Sequence, residues 1–205
     1  MNRDYAKAKE VISITPYDEI EFEEIRARRL YINAVIDEEI ISSIVFHILR
    51  YNREDKGKPV EDRQPIILYI NSPGGSVVDG FGLIDVILCS KTPIYTVNQA
   101  LCASMGFLIF IAGDKRFSMP RATFLCHDGS MFAMDSTAKM KDRMDFETNS
   151  FVPMTKKYIL SRTTIDNDTY EKKYRTEWYM LPEEAKQYGI ITHIVGEDCD
   201  IEDIV

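Results

Sequence analysis

Apolar positions along this chain switch repeatedly between short continuous runs and a three-to-four-residue spacing, the signature of strands alternating with amphipathic helices. Arg29 to Asn33 reads as a short strand, and Asp37 caps an amphipathic helix running to about Tyr51. Asn52 to Gln64 is charged and reads as a loop longer than most connections. Pro65 to Asn71 is a buried strand, and Asp79 to Ser90, with Phe81, Leu83, Ile84, Val86 and Ile87, is a helix. Ile94 to Val97 is another strand, Met105 to Ala112 starts the next helix, and Phe124 to Gly129 is a strand that ends on a histidine. This succession predicts an α/β fold with a mainly parallel sheet and right-handed crossovers.

The outer segments carry weaker patterns. Ser136 to Arg162 places apolar residues at 140, 144, 151, 154 and 158, a helical spacing whose methionine-bearing stripe reads as a core-facing surface. Pro153 inside it predicts a kink or a split. Ile12, Ile14, Tyr17, Ile20 and Phe22 alternate loosely enough to form an outer hairpin, and the acidic stretch from Gly196 to Val205 reads as mobile.

Composition narrows the classes of function. With 205 residues, 45% of them hydrophobic, and no long Gly/Ser-rich or Pro-rich linker, residues 1–205 read as one compact domain. A net charge of −8 argues against nucleic acid as a partner. The tight basic group, Arg26, Arg28 and Arg29 beside Glu23 and Glu24, reads as a solvated face. No apolar run approaches the ~20 residues of a membrane span, and the charged start has no signal-peptide core, so no membrane partner and a cytoplasmic location are expected. Cys89, Cys102, Cys126 and Cys199 form no C-x-x-C pair. At least three lie in apolar elements and read as small hydrophobes, with neither a metal site nor a cofactor expected.

The chemistry is concentrated in three segments. Asn98 to Ile109 sets Ser104 between an apolar strand and an apolar helix; Tyr69 to Val77 runs a strand into a Gly-Gly turn; Phe124 to Gly129 ends a strand on His127. A serine hydroxyl becomes nucleophilic when an imidazole removes its proton, so Ser104 is the candidate nucleophile and His127 the candidate base. The attacked carbonyl oxygen becomes an anion, for which the backbone N–H groups of Gly75 and Met105 are candidate donors, typically ~3–4 kcal/mol each. Taken singly, such a serine is most often a helix cap, a Gly-Gly a turn and a strand-end histidine a satisfied polar group. Their order, each at the carboxyl end of a strand where α/β folds place their sites, favours the catalytic reading. Cys126 falls on the strand face opposite His127, against a thiol nucleophile.

Three stretches carry a family resemblance: Tyr-Ile-Asn-Ser-Pro-Gly-Gly-Ser-Val at 69 to 77, Ala-Ser-Met-Gly followed by Ala-Gly-Asp-Lys-Arg-Phe-Ser-Met-Pro, and Pro-Glu-Glu-Ala-Lys-Gln-Tyr-Gly-Ile-Ile near the end. Over roughly residues 25 to 195 the chain resembles ClpP, the proteolytic subunit of the Clp protease. The resemblance implies a ClpP/crotonase-like spiral of repeated β-β-α units with a protruding helix-strand handle, at 130–162 here, and a pore-lining or hairpin segment at 1–24. It implies an ATP-independent serine endopeptidase that cleaves polypeptides inside stacked heptameric rings, as a homo-oligomer served by an AAA+ unfoldase. Residue by residue, it places the nucleophile on Ser104, the base on His127, the oxyanion donors on Gly75 and Met105, and the third triad member on Glu177.

Two departures accompany it. Glu177 stands where the family typically has aspartate, and a Gly-rich strand that follows the histidine in the family is here Asp-Gly-Ser-Met-Phe-Ala-Met-Asp-Ser-Thr, with a strand left to form from Met131 to Met134. These departures incline the reading toward a divergent, accessory or phage-type member. Beside the peptidase stand a catalytically weak paralogue serving as a structural or regulatory ring subunit, and a crotonase-type acyl-CoA enzyme, which shares the oxyanion hole but needs no Ser-His pair.

Overall fold

The computed structural model describes residues 15–129 and 135–204; residues 1–14, 130–134 and 205 lie outside it. The Met131 to Met134 strand and the start of the N-terminal segment therefore lie outside the described residues. In chain order the elements are α1 (Pro16–Arg26), β1 (Arg29–Ile32), α2 (Glu38–Glu54), β2 (Ile66–Ser72), α3 (Val77–Cys89), β3 (Ile94–Ala103), α4 (Met105–Phe110), β4 (Lys115–Ser118), β5 (Thr123–Cys126), α5 (Thr137–Phe146), α6 (Val152–Arg162), α7 (Asn167–Lys173), β6 (Trp178–Met180), α8 (Pro182–Gln187) and β7 (His193–Ile194). The β1-β2-β3-β4-β7 sheet is parallel throughout, with β5 parallel to β3 and β6 antiparallel to β5. The fold is thus α/β with a mostly parallel sheet, as the alternation of patterns predicts.

β3 is the element that positions the site, and it is longer than its apolar run. Ile94 to Val97 is followed by Asn98 and Gln99, where a sequence reading stops, yet the strand runs on to Ala103. Both of its edges are occupied. Residues 95 to 98 pair with β4, residues 101 to 103 pair with β5, and the buried Asn98 donates its amide N–H to Thr123 O at 3.0 Å, so the strand continues through the polar interruption.

One face of the sheet packs on α2, α3 and α4 through Leu30, Ile32, Ile44, Ile48, Leu68, Ile70, Leu83, Ile84, Phe107 and Phe110, all buried. The other face carries Tyr69, Val97, Phe117 and Val195, and Ile204 closes over it. The Tyr69 hydroxyl donates to Ile204 O. The acidic end is therefore anchored through its 3₁₀ turn Ile201–Ile204 rather than mobile, because its one buried isoleucine finds an aromatic shelf.

Four other expectations are corrected. Residues 16 to 24 form a helix, not a hairpin: Thr15 caps it in a reciprocal box with Asp18, and Pro16 starts it. The 52–64 stretch is not wholly loop, since α2 continues through Glu54 and Val60–Asp62 make a 3₁₀ turn. Arg28 is not solvated, and Arg29 is half-buried. Buried Arg28, at φ 62°, forks onto buried Asp55 with bonds of 2.5 and 3.0 Å, and Thr92 and Lys58 add donors to the same carboxylate. Arg29 holds Glu24 at 2.7 and 2.8 Å. Finally, Met140 and Met144 are exposed, as is every residue of α5, so the methionine stripe does not face the core. A five-residue π-turn, Glu147–Phe151, separates α5 from α6 and shifts the phase of the stripe; Pro153 follows directly after it, so the expected interruption falls at this joint. In α6 itself Ile159 is buried. Of the cysteines, Cys102 and Cys126 are buried whereas Cys89 is exposed.

Candidate active site

Ser104 occupies the joint between β3 and α4, and the joint dictates its backbone. Its N–H still belongs to the sheet, donating to Leu125 O at 3.0 Å, while its carbonyl already belongs to the helix, accepting from Leu108 N–H at 3.2 Å. Serving both requires φ 54° and ψ −120°, a left-handed conformation that a non-glycine residue adopts only when its surroundings over-determine it. The hydroxyl makes no capping bond and remains uncommitted.

The Gly-Gly turn lies directly beneath. A Cβ on Gly74, at φ 100°, would stand 2.7 Å from Ser104 Cβ and 3.1 Å from Met105 N. Only glycine fits there, a requirement the sequence reading missed by attending to Gly75 alone. Gly75 is bracketed by a second segment: Ile36 N–H donates to Gly74 O at 2.9 Å and Ile36 O accepts from Ser76 N–H at 2.7 Å. A Cβ on Gly75 would fall 2.7 Å from Ile36 N. Buried Ser72 accepts from Gly74 N–H at 3.1 Å, and Ser76 caps α3. Nothing in the pattern of residues 33 to 37 signals that Ile36 straps this turn, because the strap is made by backbone atoms. Among the described residues, neither Gly75 N–H nor Met105 N–H donates a hydrogen bond. Met105 is buried, its side chain seated on α3 where Gly80 leaves room.

The remaining groups come from the β5–β6 pair. Cys126 pairs with Trp178, so the next residues outward, His127 and Glu177, face each other. His127 Nδ1 lies 2.9 Å from Glu177 Oε1. A carboxylate accepts, so Nδ1 carries the hydrogen and Nε2 is the basic nitrogen. Nε2 is buried with no hydrogen-bond partner among the described residues; the Ser104 hydroxyl does not bond it in this structure. The histidine side chain is 17% exposed and the glutamate 60%. Asp128 N–H, donating to Tyr174 O at 2.8 Å, ties the strand end to α7. Burial raises the Cys102 thiol well above its usual range and pushes Cys126 up to about 12, so neither is a thiolate near neutrality.

The structure therefore gathers Ser104, Met105 and Gly75 around Gly74, pairs His127 with Glu177, and leaves the hydroxyl and the imidazole unjoined. Among the described residues no cluster of metal-ligating side chains occurs, and no helix is long and apolar enough to cross a membrane.

A family model described as Clp protease matches residues 17–198 of this chain. The chain is 31% identical over 176 residues to ATP-dependent Clp protease proteolytic subunit 3 of Parasynechococcus marenigrum strain WH8102, covering 82% of each. It is 30% identical over 179 residues to proteolytic subunit 1 of the same protease from Bacillus cereus strain ATCC 10987, covering 83% of this chain and 86% of that one. With proteolytic subunit 2 of Prochlorococcus marinus strain NATL2A the identity is 29% over 174 residues, 82% of each.

Proposed function

This chain belongs to the Clp protease family, and on that premise we propose that it is a serine endopeptidase whose triad is Ser104, His127 and Glu177. The observation that carries the reading is the 2.9 Å contact between His127 Nδ1 and Glu177, which leaves a buried, unpartnered Nε2 on the strand paired with the one that delivers Ser104. In the reaction the Ser104 hydroxyl forms a bond to the peptide carbonyl carbon as its proton passes to Nε2. The tetrahedral oxyanion accepts the N–H groups of Gly75 and Met105, both uncommitted among the described residues. The imidazolium, stabilised by Glu177, then returns its proton to the leaving amine as the C–N bond breaks, and water repeats the cycle on the acyl-serine. Ser104 Oγ has to close onto Nε2 first, as catalytic hydrogen bonds often tighten only with substrate bound.

The substrates on this reading are unfolded polypeptides in the cytoplasm, cleaved within an oligomer served by an ATP-driven unfoldase; the names of the similar proteins, proteolytic subunits of an ATP-dependent protease, support it. One observation favours a second reading, a ring subunit of low turnover: the hydroxyl and imidazole are not joined. A fluorophosphonate probe separates the two. Labelling of the folded protein at Ser104, abolished together with hydrolysis of a short fluorogenic peptide in Ser104→Ala, supports the peptidase. No labelling of folded protein would overturn it.

A further inference from the structure

Glu177 is poorly held at its own end. Its carboxylate is largely exposed, and among the described residues its one hydrogen bond is to His127. A glutamate side chain has several rotamers, so the aim of this carboxylate is set from the backbone, by β6. That strand has three residues and makes only three pairs with β5, and a one-residue slip would turn Glu177 to the opposite face. What resists the slip is the neighbour on the other face. Trp178 is buried, its indole N–H donates to Glu184 Oε1 at 3.1 Å, and its ring meets Tyr188 edge-on at 5.0 Å. Lys173 Nζ lies 5.6 Å from the ring centroid. A buried indole without an acceptor is costly, so Glu184, in the first turn of α8, selects one register for β6.

We propose that Trp178 and Glu184 are positioning residues for the reaction: the indole–carboxylate bond fixes the β6 register and thereby holds the Glu177 carboxylate on His127. Neither touches the reacting atoms, and the proposal rests on the triad reading above.

The test compares Glu184→Ala, which removes the acceptor, and Trp178→Phe, which removes the donor but keeps a ring, with Glu184→Gln, which keeps an acceptor oxygen. A misplacement of about 1 Å at a catalytic group costs up to about a hundredfold. Glu184→Ala and Trp178→Phe are expected to lower kcat by roughly ten- to a hundredfold with KM within about twofold, and to move the acid limb of kcat/KM to lower pH, because the imidazolium loses its carboxylate. Glu184→Gln is expected to stay close to wild type. In a Glu177→Ala background, Glu184→Ala should have no further effect on kcat or on the limb. The other titratable groups of this corner, Asp128 beside the ring, Cys126 on β5, and Tyr170, Glu171, Lys173 and Tyr174 on or next to α7, are the same in every variant, so the shift reads Glu177. An unmoved kcat and limb in Glu184→Ala, or an equal loss with and without Glu177, would overturn the proposal. If the wild type itself neither labels nor turns over, the triad reading fails separately. The imidazole titration of His127, followed by NMR in a chain with three histidines, then decides: a lower midpoint in Glu184→Ala supports the positioning role and an unchanged one refutes it.

Discussion

The two halves of the candidate site are built on opposite principles. Around Ser104 everything is backbone and contact: a left-handed serine, a glycine with no room for a methyl group beneath it, and a turn clamped on both sides by Ile36. Around Glu177 the decisive atom ends a flexible, largely exposed side chain on a three-residue strand. A rigid half tolerates almost no substitution, whereas an exposed half tolerates a longer acid as long as its carboxylate arrives at Nδ1. That difference leaves room for a glutamate at the position where the resemblance places the triad acid, and none for a side chain in the glycine turn.

The largest effect should come from breaking the rigid half. Gly74→Ala puts a methyl group 2.7 Å from Ser104 Cβ at a φ alanine avoids, so peptide hydrolysis and fluorophosphonate labelling should both fall by at least about a hundredfold. Retention of half the wild-type rate would show that the turn yields and the contrast is false.

The exposed half should respond in grades. Glu177→Gln should lower kcat strongly, toward the ~10⁴-fold of the archetypal triad, because an amide can present N–H to the ring and favour the wrong tautomer. Glu177→Asp retracts the carboxylate by about one C–C bond, ~1.5 Å, and should lose roughly tenfold while melting at the wild-type temperature. Equal turnover in wild type, Glu177→Gln and Glu177→Ala would make Glu177 a bystander.

Asp55 sharpens the comparison as a carboxylate of the opposite kind, buried and held by Arg28, Lys58 and Thr92. The Arg28 bond holds its pKa far below the usual carboxylate range. Since the folded-state pKa is depressed, its stabilisation is full above the unfolded value near ~3.9 and is lost as pH falls below that toward the folded one. Asp55→Asn should cost about 3 kcal/mol, a drop in melting temperature of roughly 6–12 °C, leave turnover of the folded enzyme unchanged, and flatten the acid side of the stability profile. A mutant as stable as wild type at pH 7 would show that this pair contributes nothing.

Legibility in the sequence followed the same division. Ser104, His127 and the Gly-Gly turn announced themselves because local sequence makes them: apolar strand, small residues, apolar helix. β3 was read too short because Asn98 is polar in sequence, whereas in space its amide N–H is taken up by Thr123 O, a fact of tertiary pairing. Arg28 was read as solvated because its partner lies 27 residues away. Ile36 and the Trp178–Glu184 bond left no mark on any periodicity, one being backbone and the other a contact between two short elements. The place of Glu177 opposite His127 came from the resemblance; the register of two short strands is what realises it.

The π-turn at Glu147–Phe151 gives the chain a property akin to a reading frame. One extra residue per turn rotates everything downstream by about 100° relative to what lies upstream. Removing a single residue from this stretch would leave α5 and α6 chemically intact yet turn one against the other, and because Ile159 holds α6 in the core while α5 is exposed, α5 is the part that would be re-aimed. Length here therefore sets the aim of α5: residues 147 to 150 can exchange polar for polar, whereas Phe151, edge-on to Phe81 at 5.3 Å, is held by its ring.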